Sequence, residues 1–99
     1  MATSGFVYVI ESPSSADLLD GRTEGQALCS ALDLARISRW YSLVTNHETF
    51  LAALGDRLHQ AWQNFGVLPV LHLSMHGNTK GVSFTDGTFL SWADLREAL

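Results

Sequence analysis

Val67-Leu68-Pro69-Val70-Leu71-His72-Leu73-Ser74-Met75-His76-Gly77 is the stretch on which the fold turns. An apolar run of this length, bounded by Gly66 and Gly77, predicts a buried central strand over 67–74 that ends in a His-Gly pair. Open α/β sheets collect ligand-binding and catalytic groups at the carboxyl ends of their strands, and that is where this reading puts His76. His72 shares a strand face with His76 by two-residue alternation. Four strand residues span about 13 Å, too far for one metal ion to bridge, so His72 is expected in the core with a hydrogen-bond partner.

Upstream, Phe6-Val7-Tyr8-Val9-Ile10 predicts a first strand, closed by the turn-rich Glu11-Ser12-Pro13-Ser14-Ser15. Leu18 and Leu19 fit a brief helical turn before Asp20-Gly21. A first long helix starts near Thr23, a capping residue, with Ala27, Leu28, Ala31, Leu32 and Ala35 at three- and four-residue spacing. A second strand is predicted over 37–44, with Trp40, Ser42 and Val44 on one face and Tyr41 and Leu43 on the other. Thr45 or Asn46 then caps a helix whose apolar stripe is Phe50, Leu51, Leu54, Leu58, Ala61, Trp62 and Phe65, ended by Gly66. Downstream of His76-Gly77, two short runs, 81–84 and 88–90, flank Thr85-Asp86-Gly87. Asp-Gly supplies the positive φ angles of tight hairpin turns. Ser91 caps a last helix, 92–99, with Leu95 and Leu99 facing inward.

The order is β-α-β-α-β, a small hairpin, then α. Strands alternating with helices imply a mainly parallel sheet with right-handed crossovers, here in a three-layer α/β/α arrangement with a hairpin after the third strand. No repeat, linker or low-complexity tract divides residues 1–99, which read as a single domain or the N-terminal part of one. Three parallel strands leave an edge open, and the last helix should lead into a fourth strand. The sheet is therefore expected to be incomplete without a second protein segment or chain.

Composition narrows the function classes. Of 99 residues, 46% are apolar, which suffices for a core and argues against disorder. The net charge is −4 and the six Lys and Arg form no basic stripe, which argues against a nucleic-acid-binding surface. A single cysteine excludes an internal disulfide and suits the cytoplasm. Met1–Gly5 carries no positive charge and Phe6–Ile10 is too short for a signal peptide or membrane span, so no membrane association is expected.

A strand closing on His76-Gly77, the block Val82–Leu90 with its Asp86-Gly87 turn, and a helix opening Ser91-Trp92-Ala93-Asp94-Leu95 together resemble the caspase-like fold. The closest likeness is to its bacterial and separase-related branch, the CHAT domain. The resemblance rests on the final 30 or so residues, since the earlier β-α-β-α fits many doubly wound folds. It implies a cysteine endopeptidase acting on a protein or peptide, without metal or cofactor. His76 would match the general base and the Gly77 amide would contribute to the oxyanion hole. The chemistry is coherent, because a thiol needs a nearby histidine to become thiolate at neutral pH and a developing oxyanion needs a fixed N–H donor. The family's cysteine follows a fourth strand, so the nucleophile is expected outside this chain and the chain alone is expected to be inactive. Arg22 resembles, by loop position, the caspase arginine that holds a substrate carboxylate through bidentate contact. A helix-start salt bridge or plain solvation competes with that role.

Other residues carry less. Cys29 lies on the first long helix with no flanking glycine or histidine, and reads as a small buried apolar group. His47 and His59 fall on the second long helix and read as surface residues. Ser12 and Ser14 lack a nucleophile-elbow setting, and Gly21-x-x-x-Gly25 lacks the Lys-Ser/Thr of a phosphate-binding loop. Two alternatives stand beside the peptidase reading. One is a non-catalytic α/β interaction module that assembles with itself or a larger effector, and the other is a Rossmann-like ligand-binding domain.

Overall fold

Alternation along the first strand puts Phe6, Tyr8 and Ile10 on one face and Val7, Val9 and Glu11 on the other. In the computed structural model, which describes residues 5–99, this strand is β1, Phe6–Ser12. The charge reading of Met1–Ser4 falls outside the described residues. β2, Arg39–Leu43, and β3, Pro69–Gly77, flank β1 and both run parallel to it. β3 then outruns β1, and His76-Gly77 pairs antiparallel with β4, Gly81–Ser83, which pairs antiparallel with β5, Phe89–Ser91. The result is a mixed five-stranded sheet in the order β2-β1-β3-β4-β5. The predicted β-α-β-α-β, hairpin and helix order is present.

The helices follow their local signals. α1, Ser15–Leu19, is capped by Ser14, and α2 covers Glu24–Leu34. α3, His47–Ala52, has a capping box in which Asn46 and Thr49 bond each other's backbone N–H. It passes through a π-helical turn, Ala53–Arg57, into α4, Leu58–Phe65, which stops at Gly66 with φ 69°. α5, Trp92–Ala98, is capped by Ser91.

The main core forms where Phe6, Tyr8 and Ile10 meet Phe50, Ala53 and Ala61, and it extends through Phe84 to Val82, Leu90 and Leu95. Phe6 stacks on Phe65 at 4.5 Å between ring centroids, and Phe50 meets Phe84 at 5.5 Å. Tyr8 is fully buried, so its hydroxyl must be satisfied; it donates to the Ala53 carbonyl at 2.9 Å and lies 2.7 Å from Ser42 Oγ. α2 packs on the opposite face, over β1 and β2.

Several expectations are corrected here. β1 continues through Glu11 and Ser12, both buried, where the sequence reading had a turn. β3 is not a buried strand: Val70 is 63% exposed and His72 is exposed, without the predicted core partner. The cause is that α2 covers β1 and β2 only, leaving that face of β3 bare. The buried positions of α2 are Gly25 and Cys29, while Ala27, Ala31 and Ala35 face solvent. Leu51, Trp62 and Leu99 are likewise exposed, whereas Phe50 and Ala61 of the predicted stripe are buried, Leu54, Leu58 and Phe65 pack partly buried against the core, and Ala53 joins it.

The hairpin's seat makes a testable demand on one residue. A Cβ at Gly81 would collide with the Leu90 carbonyl and come within 2.8 Å of Ser91 Cα, whereas one at Gly55, in the π turn, meets nothing within 4 Å. Gly81→Ala is expected to lower the unfolding free energy in urea by about 1–3 kcal/mol, as overpacking does. Gly55→Ala should leave it unchanged or raise it by up to about 1 kcal/mol through helix propensity.

Candidate functional site

β1 and β3 end side by side, with Ser12 paired to Met75. From there the chain leaves β1 through Pro13 into α1, while β3 runs on through His76 and Gly77 into the hairpin. In-register neighbours of parallel strands share a face, so Glu11 and Ser74 lie on the α2 side, and alternation puts His76 there too. Because α2 stops short of β3, this corner opens into a cleft of about 160 Å³. Glu11, Asp17, Arg22, Glu24, Ser74 and His76 contribute to its lining.

The His76 ring is 62% exposed and its Nε2 lies 3.4 Å from Asp17 Oδ2. Asp17 sits in the first turn of α1, and its own N–H is bound by Ser14 Oγ at 3.1 Å. Gly77 is exposed and paired with Val82, and a Cβ there would lie 3.3 Å from the Gly81 carbonyl and 3.7 Å from the Trp92 ring. Thus the turn out of β3 is held against the hairpin and α5. The hairpin is fastened in turn to the strand ends. Thr85 N–H donates to Ser12 Oγ at 2.9 Å, and Asp86 N–H donates to the Thr45 carbonyl at 3.0 Å.

The floor of the cleft is Glu11, only 2% exposed. A buried carboxylate is tolerated only when its oxygens are bonded. Oε2 accepts from Gly25 N–H at 2.9 Å and Oε1 accepts from the Tyr41 hydroxyl at 2.6 Å. Gly25 is the second residue of α2, so Glu11 caps that helix from a neighbouring strand and places negative charge at the positive end of its dipole. Thr23, the expected cap, makes no side-chain bond to the helix backbone. Burial and the bond to Glu11 together hold the Tyr41 phenol well above its usual range.

Two of the sequence-predicted residues, His76 and Arg22, meet in this one cleft, and Gly77 adjoins it. Cys29 is buried outside the lining of this cleft, in a separate pocket shared with Arg39 and Tyr41, and burial pushes its thiol up. Among the described residues, Asp17 is the one hydrogen-bond partner of the His76 ring. His47 and His59 are exposed, as expected, though His47 stands at the carboxyl edge with its ring 6.3 Å from that of Phe84. Sequence reasoning missed Glu11 and Asp17. Glu11 continues the inward alternation of Val7 and Val9, and a glycine in the first turn of a helix signals close approach by another group.

Among the described residues, no group of three or more His, Cys, Asp or Glu side chains converges to hold a metal ion, and no helix is long and apolar enough to cross a membrane. Comparison with protein-family models, curated proteins and solved structures finds no match to this chain.

Two tests follow from the geometry. A Cβ at Gly25 would sit 2.7 Å from Glu11 Oε1, so Gly25→Ala should destabilise the fold despite alanine's advantage of about 1 kcal/mol in helices. Glu11→Ala leaves two donors unpaired and should cost about 1–3 kcal/mol. In urea unfolding the two changes should be clearly non-additive, the alanine at 25 being tolerated once the carboxylate is gone. The pH dependence is the second test. A folded-state pKa raised above the unfolded value favours the protonated phenol, so Tyr41's contribution is full below about pH 10 and falls as pH rises beyond it. Tyr41→Phe should make stability between pH 9 and 11, read by circular dichroism, decline less steeply than in the unaltered chain.

Proposed function

We propose that this chain is the histidine-bearing part of a caspase-like, CHAT-related cysteine endopeptidase with a three-layer α/β/α fold, whose nucleophilic cysteine comes from another protein segment or chain. The observation that carries the reading is the position of His76, at the carboxyl end of β3 in a cleft shared with Arg22. Helices on both faces of the parallel strands and the hairpin after β3 are consistent with it. A second observation says where the missing part would enter. Pro69–Met75 of β3 pair with β1 on one side, and among the described residues no strand pairs with them on the other. A strand added there parallel to β3 would end at the same edge, beside His76.

In that assembly His76 takes the proton of the incoming thiol and returns it to the leaving amine, and the Gly77 N–H faces the oxyanion that forms between those steps. No metal or cofactor enters the scheme. Arg22 would hold a carboxylate of a protein or peptide substrate. The same open edge also favours a second reading, a non-catalytic module that assembles through β3 with itself or a larger effector.

The assay is cleavage of a fluorogenic peptide panel by the assembled protein. His76→Ala should lower kcat/KM by about 10³-fold or more, as loss of a general base does, and iodoacetamide should abolish cleavage. Cys29→Ser should leave it intact. Unchanged cleavage in His76→Ala, or activity that depends on Cys29, would overturn the proposal. Acidic residues should be preferred at the cleaved position, with the preference lost in Arg22→Ala. A preference for Arg or Lys would instead assign substrate contact to the accessible carboxylates of the cleft, Asp17 and Glu24.

A further inference from the structure

We propose that Asp17 is the positioning residue of His76, its carboxylate holding the imidazole through Nε2 so that Nδ1 is the nitrogen left to take a proton. An ionised carboxylate only accepts hydrogen bonds. At 3.4 Å between Nε2 and Oδ2, the bond therefore requires the hydrogen on Nε2, and a neutral ring then has its lone pair on Nδ1. A base whose far nitrogen is held by a third group is the general arrangement for activating a nucleophile.

Both ends of the contact stand on fixed backbone. Asp17 is the less exposed partner, at 34% against 62% for His76. Its N–H is bound by Ser14 Oγ and its carbonyl accepts from Arg22 N–H at 2.8 Å. Ser15 Oγ ties α1 to the hairpin through the Thr85 carbonyl at 3.0 Å, and the His76 backbone is paired with Ser83. The other carboxylates of the cleft do not compete for the ring. Glu11 is engaged on both oxygens by Gly25 and Tyr41, and no hydrogen bond joins Glu24 to His76 among the described residues. Arg22 is the remaining charged group of the cleft. The ring contact stands on its own, while its role as the support of a catalytic base rests on the peptidase reading.

The experiment separates the two. In the labelled chain, nuclear Overhauser contacts between the His76 ring protons and the Asp17 β protons report ring placement. They should be detectable in the unaltered chain, retained in Asp17→Asn, whose Oδ1 accepts the same N–H, and lost in Asp17→Ala with the backbone spectrum of β3 and α1 unchanged. In the assembled peptidase, Asp17→Ala should lower kcat by about tenfold or more at constant KM, with Asp17→Asn in between. Ring contacts that persist in Asp17→Ala overturn the proposal whatever the peptide assay shows, and so does an unchanged kcat in that variant. If the contacts vanish as expected but His76→Ala cleaves normally, the peptidase reading is what falls, and Asp17's role in it with it.

Discussion

A buried carboxylate joins three elements, β1, β2 and α2, at one point. Glu11 stands near the end of β1, accepts from Tyr41 on β2 and caps α2 through Gly25 N–H. Each partner needs the others. The Tyr41 hydroxyl and the first-turn N–H of α2 would be unsatisfied without the carboxylate, and the carboxylate would be an uncompensated charge without them. Gly25 is the geometric consequence, since only a residue without a side chain lets the helix come down onto the carboxylate. The Arg39–Asp33 pair fastens the other end of α2 to β2, but it is exposed and screened by solvent, so it cannot substitute for the buried contact.

Where α2 sits decides where the cleft is. With its start pinned above Glu11, α2 covers β1 and β2 and leaves the same face of β3 uncovered from Val70 to His76. The cleft is the step between the covered and the bare part of the sheet, walled by α1 and by the loop that carries Arg22. Its charges follow from the same placement, because Glu11 and Glu24 arrive with the capped helix end and Asp17 with α1. The pairing of hairpin and strand ends through Ser12, Thr85 and Thr45 then fixes the height at which His76 leaves the sheet.

Most of the element order was legible in the sequence because local signals and tertiary packing agree there. Asn46, Ser91 and Gly66 are caps whose chemistry is local, and each acts as expected; Asp86-Gly87 also turns the chain, but within a longer connection in which Gly87 alone takes a positive φ, 86°. His76 was legible because a strand end followed by glycine is also a local pattern. The misses are the non-local ones. Glu11 reads as a turn residue until Tyr41 and Gly25 are brought to it from 30 and 14 residues away. Ala27, Ala31 and Ala35 read as an inward stripe until that clasp rotates α2 onto Gly25 and Cys29. β3 reads as buried from its apolar content alone, and composition carries no information on whether a neighbour is present to cover it.

That uncovered strand bears on the direction of anything added to it. Edge strands are usually blunted by charge, proline or curvature, and here Pro69 and the two histidines are the only such devices along β3. An antiparallel partner would bring its amino end to His76 and carry the rest of its chain back toward Pro69. A parallel partner would bring its carboxyl end there, where the following loop is free to place a side chain over the cleft. The three paired strands β2, β1 and β3 are already parallel, so a parallel addition continues their twist and their shared carboxyl edge. Strand direction separates the two functional readings in physical terms. A peptidase needs the parallel partner and a thiol at its end, whereas an assembly module is satisfied by either direction, including a second copy of β3 running the opposite way.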